Sequence, residues 1–195
     1  MPRRYALGRR ADQQARTRDR IVAAALTIYR ERGMRAATTQ TVAAAADVAP
    51  GTVRNHFPGP MDLAQAAAAV VLAELRPPGL EIYAGLTSVP ERVERLAREV
   101  AAFYERSAAW WEVEQRDPDL AAAWEGNAAQ FLEHLDVVLR AALDPSAEDP
   151  VATAVLRTLV GPPLYFALRG QGLTSDETVA VELSMVLPWL DERLG

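Results

Sequence analysis

Apolar residues recur at helical spacing along most of the chain. The first stripe consists of Ile21, Ala24, Ala25, Ile28 and Tyr29. These residues recur every three or four positions, so they lie on one face of a helix. Thr17 precedes the stripe as a capping residue and Gly33 follows it as a stop, which predicts a helix over residues 17–33.

Proline and glycine divide the rest of the chain into further helical segments. The predicted helices cover about 38–47, 50–57, 60–76, 90–116, 118–125, 127–143, 149–170 and 175–194. Gly161-Pro162-Pro163 interrupts the helix 149–170 because each proline lacks an amide donor, and Pro188 kinks the last helix. No stretch alternates at period two with β-branched residues, so we expect an all-α fold of about nine helices.

Two short helices joined by a tight break, with a longer helix before them, are typical of a helix-turn-helix DNA reader. The second of the pair, residues 50–57, is short and has small residues at its start. Val53 and Phe57 are four apart and can face the core, which leaves other side chains for an outer surface. Those outer residues are Pro50, Gly51, Arg54 and Asn55, while Val42, Ala43 and Ala46 of the preceding helix face the same core. A three-helix bundle with no DNA role is the alternative.

Residues 17–63 resemble the N-terminal domain of the tetracycline-repressor-like (TetR) family of transcriptional regulators. The resemblance is carried by Ile21, Ala24-Ala25, Tyr29, Gly33, Thr38-Thr39, Ala46, Val48, Gly51-Thr52-Val53, His56-Phe57-Pro58 and Leu63. A later segment, 159–166, is similar to a stretch of the first dimerisation helix in many members. The resemblance implies a DNA-binding domain over 17–62 and a larger helical ligand-binding and dimerisation domain over 63–195. Residues 1–16 are basic and without periodicity, and we expect a flexible arm there.

The resemblance also implies which residues meet DNA. They are Thr38, Thr39, Gln40, Pro50, Gly51, Thr52, Arg54, Asn55 and His56. Gln40 would pair with adenine in the major groove, and Thr52 and His56 would hold phosphates. Thr38 or Thr39 would cap the second helix and donate to a phosphate, and Pro50 and Gly51 would let the backbone approach the bases.

Two positions depart from the family pattern. Arg54 stands where the family has Tyr, and it could read guanine or bind phosphate. Pro60 stands where the family has Lys, so one phosphate contact is lost, although the amides at that helix start could bind an anion. We expect the arm's arginines to compensate in a minor groove. These are Arg3, Arg4, Arg9 and Arg10.

Charge is distributed unevenly along the 195 residues. Residues 1–60 hold eleven arginines and four acidic residues, whereas the remainder holds ten arginines and twenty-two acidic residues, for a net charge of -5. A basic N-terminal segment followed by an acidic remainder suggests that the N-terminal segment binds a polyanion. The alternative is chance clustering of charge together with a disordered basic tail.

The composition limits the catalytic, metal-binding and disulfide chemistry that the chain can support. With no cysteine the chain has no disulfide framework and no thiolate metal site. Its two histidines, His56 and His134, are far apart in sequence and leave little for a histidine metal site or a catalytic triad. We therefore expect no cofactor, no metal and no enzymatic activity. No apolar run reaches the ~18 residues of a membrane span, and no apolar stretch follows the N-terminal arginines as in a signal peptide. We expect a cytoplasmic protein without a membrane partner.

The predicted C-terminal domain, residues 63–195, contains two further sets of candidate residues. An apolar ligand pocket would be lined by Phe103, Tyr104, Trp110, Trp111, Trp124, Phe131, Tyr165 and Phe166, with ordinary core packing as the alternative. Two apolar stripes on the last helices would pair with a second copy in a four-helix bundle, or be buried within one chain. The stripe residues are Leu156, Leu159, Val160, Leu164, Leu168, Leu183, Val186, Leu187 and Leu190.

The function that these patterns favour is a ligand-responsive transcriptional regulator. As a homodimer it would bind a palindromic operator in double-stranded DNA and be released by a small, mostly apolar effector, and repression is favoured over activation. A helical adaptor without a sensing role is the first alternative and an all-α enzyme the second.

Overall fold

The computed structural model describes residues 3–143 and 149–194, with the side chains of 11–143 and 149–193. The described residues form the α-helices α1 Arg3–Arg32, α2 Thr39–Ala45, α3 Pro50–His56, α4 Pro60–Leu75, α5 Val89–Arg116, α6 Pro118–Ala142, α7 Pro150–Leu159, α8 Pro162–Gly170 and α9 Ser175–Leu194. Two short 3-10 turns, Met34–Ala36 and Leu80–Tyr83, precede α2 and α5, and this part of the chain contains no β-strand. The predicted all-α fold is confirmed.

The first helix begins much earlier than its apolar stripe. We expected a flexible arm over residues 1–16 and a cap at Thr17, but the chain is helical from Arg3. Thr17 donates its hydroxyl to the carbonyl of Gln13 at 2.9 Å, as a threonine inside a helix does. Residues 11–16 are exposed, so their helix depends on arginine, alanine and glutamine as helix formers rather than on packing. The side chains of Arg3, Arg4, Arg9 and Arg10, for which we predicted a minor-groove role, lie outside the described ones.

Of two breaks predicted within the later helical segments, one is absent and the other is present. The predicted break between residues 125 and 127 is wrong, because α6 continues through Gly126. An isolated helical glycine costs only about 1 kcal/mol, and Trp124 beside it donates its indole N–H to the carbonyl of Ala64 at 2.9 Å. By contrast, the predicted interruption of 149–170 is confirmed, since α7 ends at Leu159 and α8 begins at Pro162.

Side-chain caps mark where three of the later helices begin. Ser88 and Glu91 exchange hydrogen bonds at the start of α5, and Thr174 and Glu177 do the same at the start of α9. Asp149 accepts from the amides of the first turn of α7 and from the guanidinium of Arg193. The arginine holds the pKa of the Asp149 carboxyl at about 2.

The described residues divide into two compact units that do not follow the chain order. The N-terminal unit comprises the described part of Met1–Glu74 together with Ala109–Ala128, and the C-terminal unit that of Leu75–Ala108 and Ala129–Gly195. Both α5 and α6 therefore contribute residues to each unit. The division of the sequence into functional domains at 62 and 63 stays a prediction.

Apolar side chains of four helices fill the core of the N-terminal unit. The stripe of α1 is buried at Ile21, Ala25, Ile28 and Tyr29, as predicted, and Val22 joins it. The remaining core residues of this region are Val42, Ala43, Ala46, Val53, Phe57, Leu63, Ala64, Ala67, Ala68 and Val71. Val53 and Phe57 thus face inward, which confirms the orientation predicted for α3.

The C-terminal unit buries part of the proposed dimer stripe in its own core. Leu156, Val160, Val186 and Leu190 are at most 3% exposed, so in this structure they are not available to a second copy. Our expectation for these four needs correction, because α7 and α9 pack on each other and each buries one side of its stripe. The remaining stripe residues are half-buried, and they are Leu159, Leu164, Leu168, Leu183 and Leu187.

Residues Pro150–Gly170 together are long and apolar enough to cross a membrane, by length and composition only. Our expectation that no apolar run reaches this length is therefore wrong. Core helices of water-soluble proteins pass the same criterion. Here the segment is broken between α7 and α8, and Leu156 and Tyr165 are buried in the C-terminal unit.

One buried and one exposed leucine on α6 provide a test of the assigned core. Leu139 is 1% exposed and Leu132 is 52% exposed. We expect Leu139→Ala to lower the free energy of unfolding by about 2–5 kcal/mol, because a buried cavity is left, and Leu132→Ala by less than about 0.5 kcal/mol. Urea unfolding followed by circular dichroism measures both, and equal effects would contradict the assigned burial.

Candidate DNA-binding surface

The break between α2 and α3 is held by an arginine of α1. Asp47 adopts a left-handed conformation with φ of 50°, which turns the chain after Ala46. Arg20 donates to the carbonyls of Ala46 and Asp47 and pairs with the Asp47 carboxylate at 3.5 Å. Local sequence patterns do not reveal this role of Arg20, because its partners lie well over twenty residues further along the chain.

The start of α2 is capped as predicted. Thr38 has extended backbone angles, and its hydroxyl accepts from the amide of Thr41 at 3.2 Å. Thr41 donates its own hydroxyl to the carbonyl of Ala36 at 2.6 Å, which ties the helix start to the preceding turn. Thr38 and Gln40 are exposed and Thr39 is half-buried, so all three lie at the surface of the N-terminal unit.

The outer face of α3 is available to a partner. Pro50, Arg54 and Asn55 are exposed, and Thr52 and His56 are half-buried. Val53 and Phe57 anchor the opposite face in the core, and the guanidinium of Arg18 lies 4.9 Å from the centre of the Phe57 ring. The helix therefore presents a short polar surface whose orientation is set by two buried side chains.

Gly51 has no packing reason to be glycine. A Cβ built on it meets no atom within 4 Å, and its φ lies outside the left-handed region. A glycine inside a helix costs up to about 1 kcal/mol relative to alanine. The position is therefore suited to the close approach of something outside the chain.

The start of α4 is less suited to an anion than its sequence suggests. The carboxylate of Asp62, in the first turn of α4, accepts from the amide of Gly59 just before the helix at 2.8 Å. A negative charge beside these amides also opposes a second anion. Anion binding by the amides at this helix start, in place of the contact that Pro60 removes, stays a prediction.

Asp117 joins the end of α1 to the start of α6 within the N-terminal unit. One carboxylate oxygen accepts from the amide of Met34 at 2.5 Å, and the other accepts from the amide of Leu120 at 3.2 Å. Gly33, with φ of 79°, ends α1 as predicted, and a Cβ there would lie 2.9 Å from that carboxylate. Burial, with a smaller contribution from the Asp117 charge, raises the pKa of Tyr29 to about 12.

Asp117 was not among the predicted functional residues. The pair Asp117-Pro118 is a readable helix start, because aspartate caps and proline suits the first turn. Its contact with Met34 is not readable, since 83 residues separate the two. A second pair in the same place, Arg35 with Asp119, lowers the pKa of the Asp119 carboxyl through a direct hydrogen bond.

Seven of the eight predicted pocket residues lie in two ring clusters, one in each unit. Trp110 and Trp124 lie 5.2 Å apart in the N-terminal unit, with the guanidinium of Arg30 4.3 Å from the Trp110 ring, and Trp111 is 36% exposed. The C-terminal cluster consists of Phe103, Tyr104, Phe131, Tyr165 and Phe166. Their role in binding a ligand stays a prediction.

Two open grooves lie in the N-terminal unit. One of about 550 Å³ is lined by Tyr29, Gly33 and Asp117, and one of about 630 Å³ runs beside Thr38 and Thr39. None of the eight aromatic residues lines either groove. Within residues 3–143 and 149–194, no three His, Asp or Glu side chains are grouped so that they could hold a metal ion.

The N-terminal unit thus combines the long helix α1, the capped helix α2 and the exposed helix α3, which follows a tight turn. This is the arrangement of a helix-turn-helix DNA-binding unit. Residues 21–67 match the family model of the bacterial regulatory proteins of the tetR family. This part of the chain, about a quarter of its length, is therefore similar to the DNA-binding domain of tetR-family transcriptional regulators.

The chain has the fold of one solved structure and is less similar to a second. The multidrug binding protein EbrR, in a crystal structure with imidazole, is 21% identical over 87% of this chain and 88% of its own, with a TM-score of 0.58. A TetR-family regulator from Rhodococcus sp. is 22% identical over 88% of this chain and 97% of its own, with a TM-score of 0.39. No curated protein sequence matches the chain.

Matched glycine substitutions separate DNA contact from folding. We expect Gly51→Ala to leave the free energy of unfolding unchanged or raise it by up to about 1 kcal/mol, while DNA affinity falls about tenfold. Gly126→Ala, at a helical glycine of α6 that is equally open, should affect stability alone. Fluorescence anisotropy with labelled duplex DNA and urea unfolding measure the two quantities. Unchanged DNA affinity in Gly51→Ala would place the DNA contact elsewhere.

Proposed function

We propose that this chain is a ligand-responsive repressor that binds a palindromic operator as a homodimer. The exposed outer face of α3, anchored from behind by Val53 and Phe57, is the observation that carries the proposal. Two copies of α3, related by twofold symmetry, would enter successive major grooves about one helical turn apart.

The surface residues divide into readers and anchors. Gln40 and Arg54 are exposed and long enough to reach base edges, where an amide pairs with adenine and a guanidinium with guanine. Thr38, Thr52 and His56 would hold phosphates and set the register on the duplex without reading sequence. Asn55 adds a polar group beside Arg54, and Thr39 adds a second hydroxyl beside Gln40.

Dimerisation would use the half-buried leucines of α8 and α9. Leu164 and Leu168 are one turn apart on α8, and Leu183 and Leu187 are one turn apart on α9. Met185 on α9 is 42% exposed and adds apolar surface. Two such helices from each copy form a four-helix bundle, in which each leucine pair loses its remaining contact with water.

The sensing step would use the two long helices. Because α5 and α6 are each continuous and each contributes to both units, a displacement caused by an effector in the C-terminal unit is carried along them. Asp117 would couple this displacement to the end of α1, because its carboxylate accepts from the Met34 amide. An effector that favours one arrangement by a few kcal/mol changes the spacing of the α3 helices and lowers DNA affinity. The protein would act in the cytoplasm, where its operator lies.

Selection of bound sequences from random duplex DNA tests this function directly. We expect a symmetric site of two half-sites about 10 base pairs apart, with a guanine in each that depends on Arg54. Arg54→Ala should lose about 1–3 kcal/mol at that base pair alone. Arg16→Ala, in the exposed helix before the domain, is the matched control. A chain that selects no sequence, or an asymmetric site, would contradict the proposal.

Charge placed in the proposed dimer surface should separate the copies. We expect Leu187→Asp to convert the dimer to a monomer in sedimentation velocity and to lower operator affinity at least about tenfold, because an ionised group at a packed interface is costly. Leu132→Asp on the exposed face of α6 should leave both unchanged. A dimer that persists in Leu187→Asp would place the interface elsewhere.

A further inference from the structure

Two buried polar side chains of α9 have no hydrogen-bond partner among the described residues. The atoms are Oγ1 of Thr178 and Oε1 of Glu182, and the two residues are 0% and 2% exposed. They are four residues apart, so their side chains lie one above the other on the same face of the helix. This face is otherwise apolar, with Val179 and Val186 buried beside them.

The tyrosine hydroxyls of the C-terminal ring cluster are already used. Tyr104 donates to the carbonyl of Val160 at 3.3 Å, at the break between α7 and α8. The hydroxyl of Tyr165 is hydrogen-bonded to that of Ser175 at 3.1 Å, at the start of α9. Neither bond involves Oε1 of Glu182, so the tyrosine hydroxyls leave this buried oxygen without a donor.

Glu182 also lacks a countercharge. None of the ion pairs among the described residues includes it, and Arg193 on the same helix pairs with Asp149 instead. Burial raises the pKa of Glu182 to about 7, and its charge in turn contributes to raising the pKa of Tyr104. An ionised carboxylate buried in this way destabilises the fold unless a cation or strong donor accompanies it.

Aromatic rings border the face of α9 that carries Thr178 and Glu182. The ring centres of Tyr104 and Tyr165 are 5.2 Å apart, and that of Phe166 is 5.7 Å from Tyr104 and 5.3 Å from Tyr165. The hydroxyl of Tyr165 lies 3.1 Å from that of Ser175, which is three residues before Thr178 and seven before Glu182, so the rings border the same face of α9. Aromatic faces attract cations, and this attraction increases where water is excluded.

We propose that Thr178 and Glu182, with the rings of Tyr104, Tyr165 and Phe166, form the recognition site for an effector that carries a protonated amine on an aromatic body. The ammonium N–H groups donate to the carboxylate of Glu182 and the hydroxyl of Thr178, and the rings contact the apolar body. The site deepens the proposed function, on which it rests, because it names the chemical class of the effector. A neutral apolar molecule would leave both buried oxygens without a donor.

Calorimetric titration of the full chain at about pH 8 with matched probes tests the site. Benzylammonium, 2-phenylethylammonium and 4-phenylbutylammonium are the cations, and the alcohols and carboxylates of the same length are the neutral and anionic controls. All three amines are protonated at this pH, since alkyl ammonium groups resemble lysine. We expect at least one cation to bind about tenfold or more tightly than its alcohol, and no carboxylate to bind.

Two variants of α9 separate the carboxylate from a general charge effect. Glu182→Gln removes the buried charge and should weaken cation binding at least about tenfold, while its unfolding midpoint in urea at this pH rises. Glu192→Gln removes the same charge from an exposed position and should bind like the parent chain. The rise in the unfolding midpoint shows that loss of binding in Glu182→Gln does not come from loss of the fold.

The outcomes distinguish failure of the proposed cation site from failure of the proposed function. Equal binding of cations and alcohols, absence of binding by all three cations, or unchanged binding in Glu182→Gln would overturn the site. Operator binding is measured in parallel by anisotropy, with and without the bound cation. A chain that binds the operator but no cation loses only the inference, whereas a chain that binds no DNA loses the proposed function itself.

Discussion

The N-terminal unit depends on one carboxylate that satisfies two helix termini together. Asp117 accepts the amide of Met34 just after α1 and the amide of Leu120 in the first turn of α6. Gly33 is required there, because its left-handed backbone ends α1 and a Cβ would press against the carboxylate. The position of the bracing helix, and through it that of α3, therefore depends on a residue far along the chain.

The proposed DNA-binding surface combines a fixed backbone with an open outer side. Arg20 fixes the turn between α2 and α3 by binding two carbonyls and the carboxylate of Asp47. Buried Val53 sets the rotation of α3, and Gly51 leaves its outer side open. A reading helix needs both properties, because a contact to a base edge is lost when the backbone shifts or stands too far away.

The C-terminal unit carries a polar group where packing alone would favour an apolar one. An isosteric apolar or amide side chain in place of Glu182 would remove the cost of a buried carboxylate. Such unsatisfied groups are few in folded proteins and tend to occur at functional sites. The same helix turns its half-buried leucines outward, so α9 would serve both the effector and the second copy.

Local sequence signals determined the helices and the face of α3 that is buried. Periodic apolar positions predicted the stripe of α1, and Gly33 and the prolines after Gly161 marked ends correctly, because caps and breaks depend on a few adjacent residues. The sequence could not determine that α6 continues through Gly126 or that Leu156 is buried within its own chain. Whether a helical glycine is tolerated, and which side of a stripe meets the core, depend on neighbours that only the tertiary structure brings together. For the same reason Asp117 and the unpartnered oxygen of Glu182 became visible only in the folded chain.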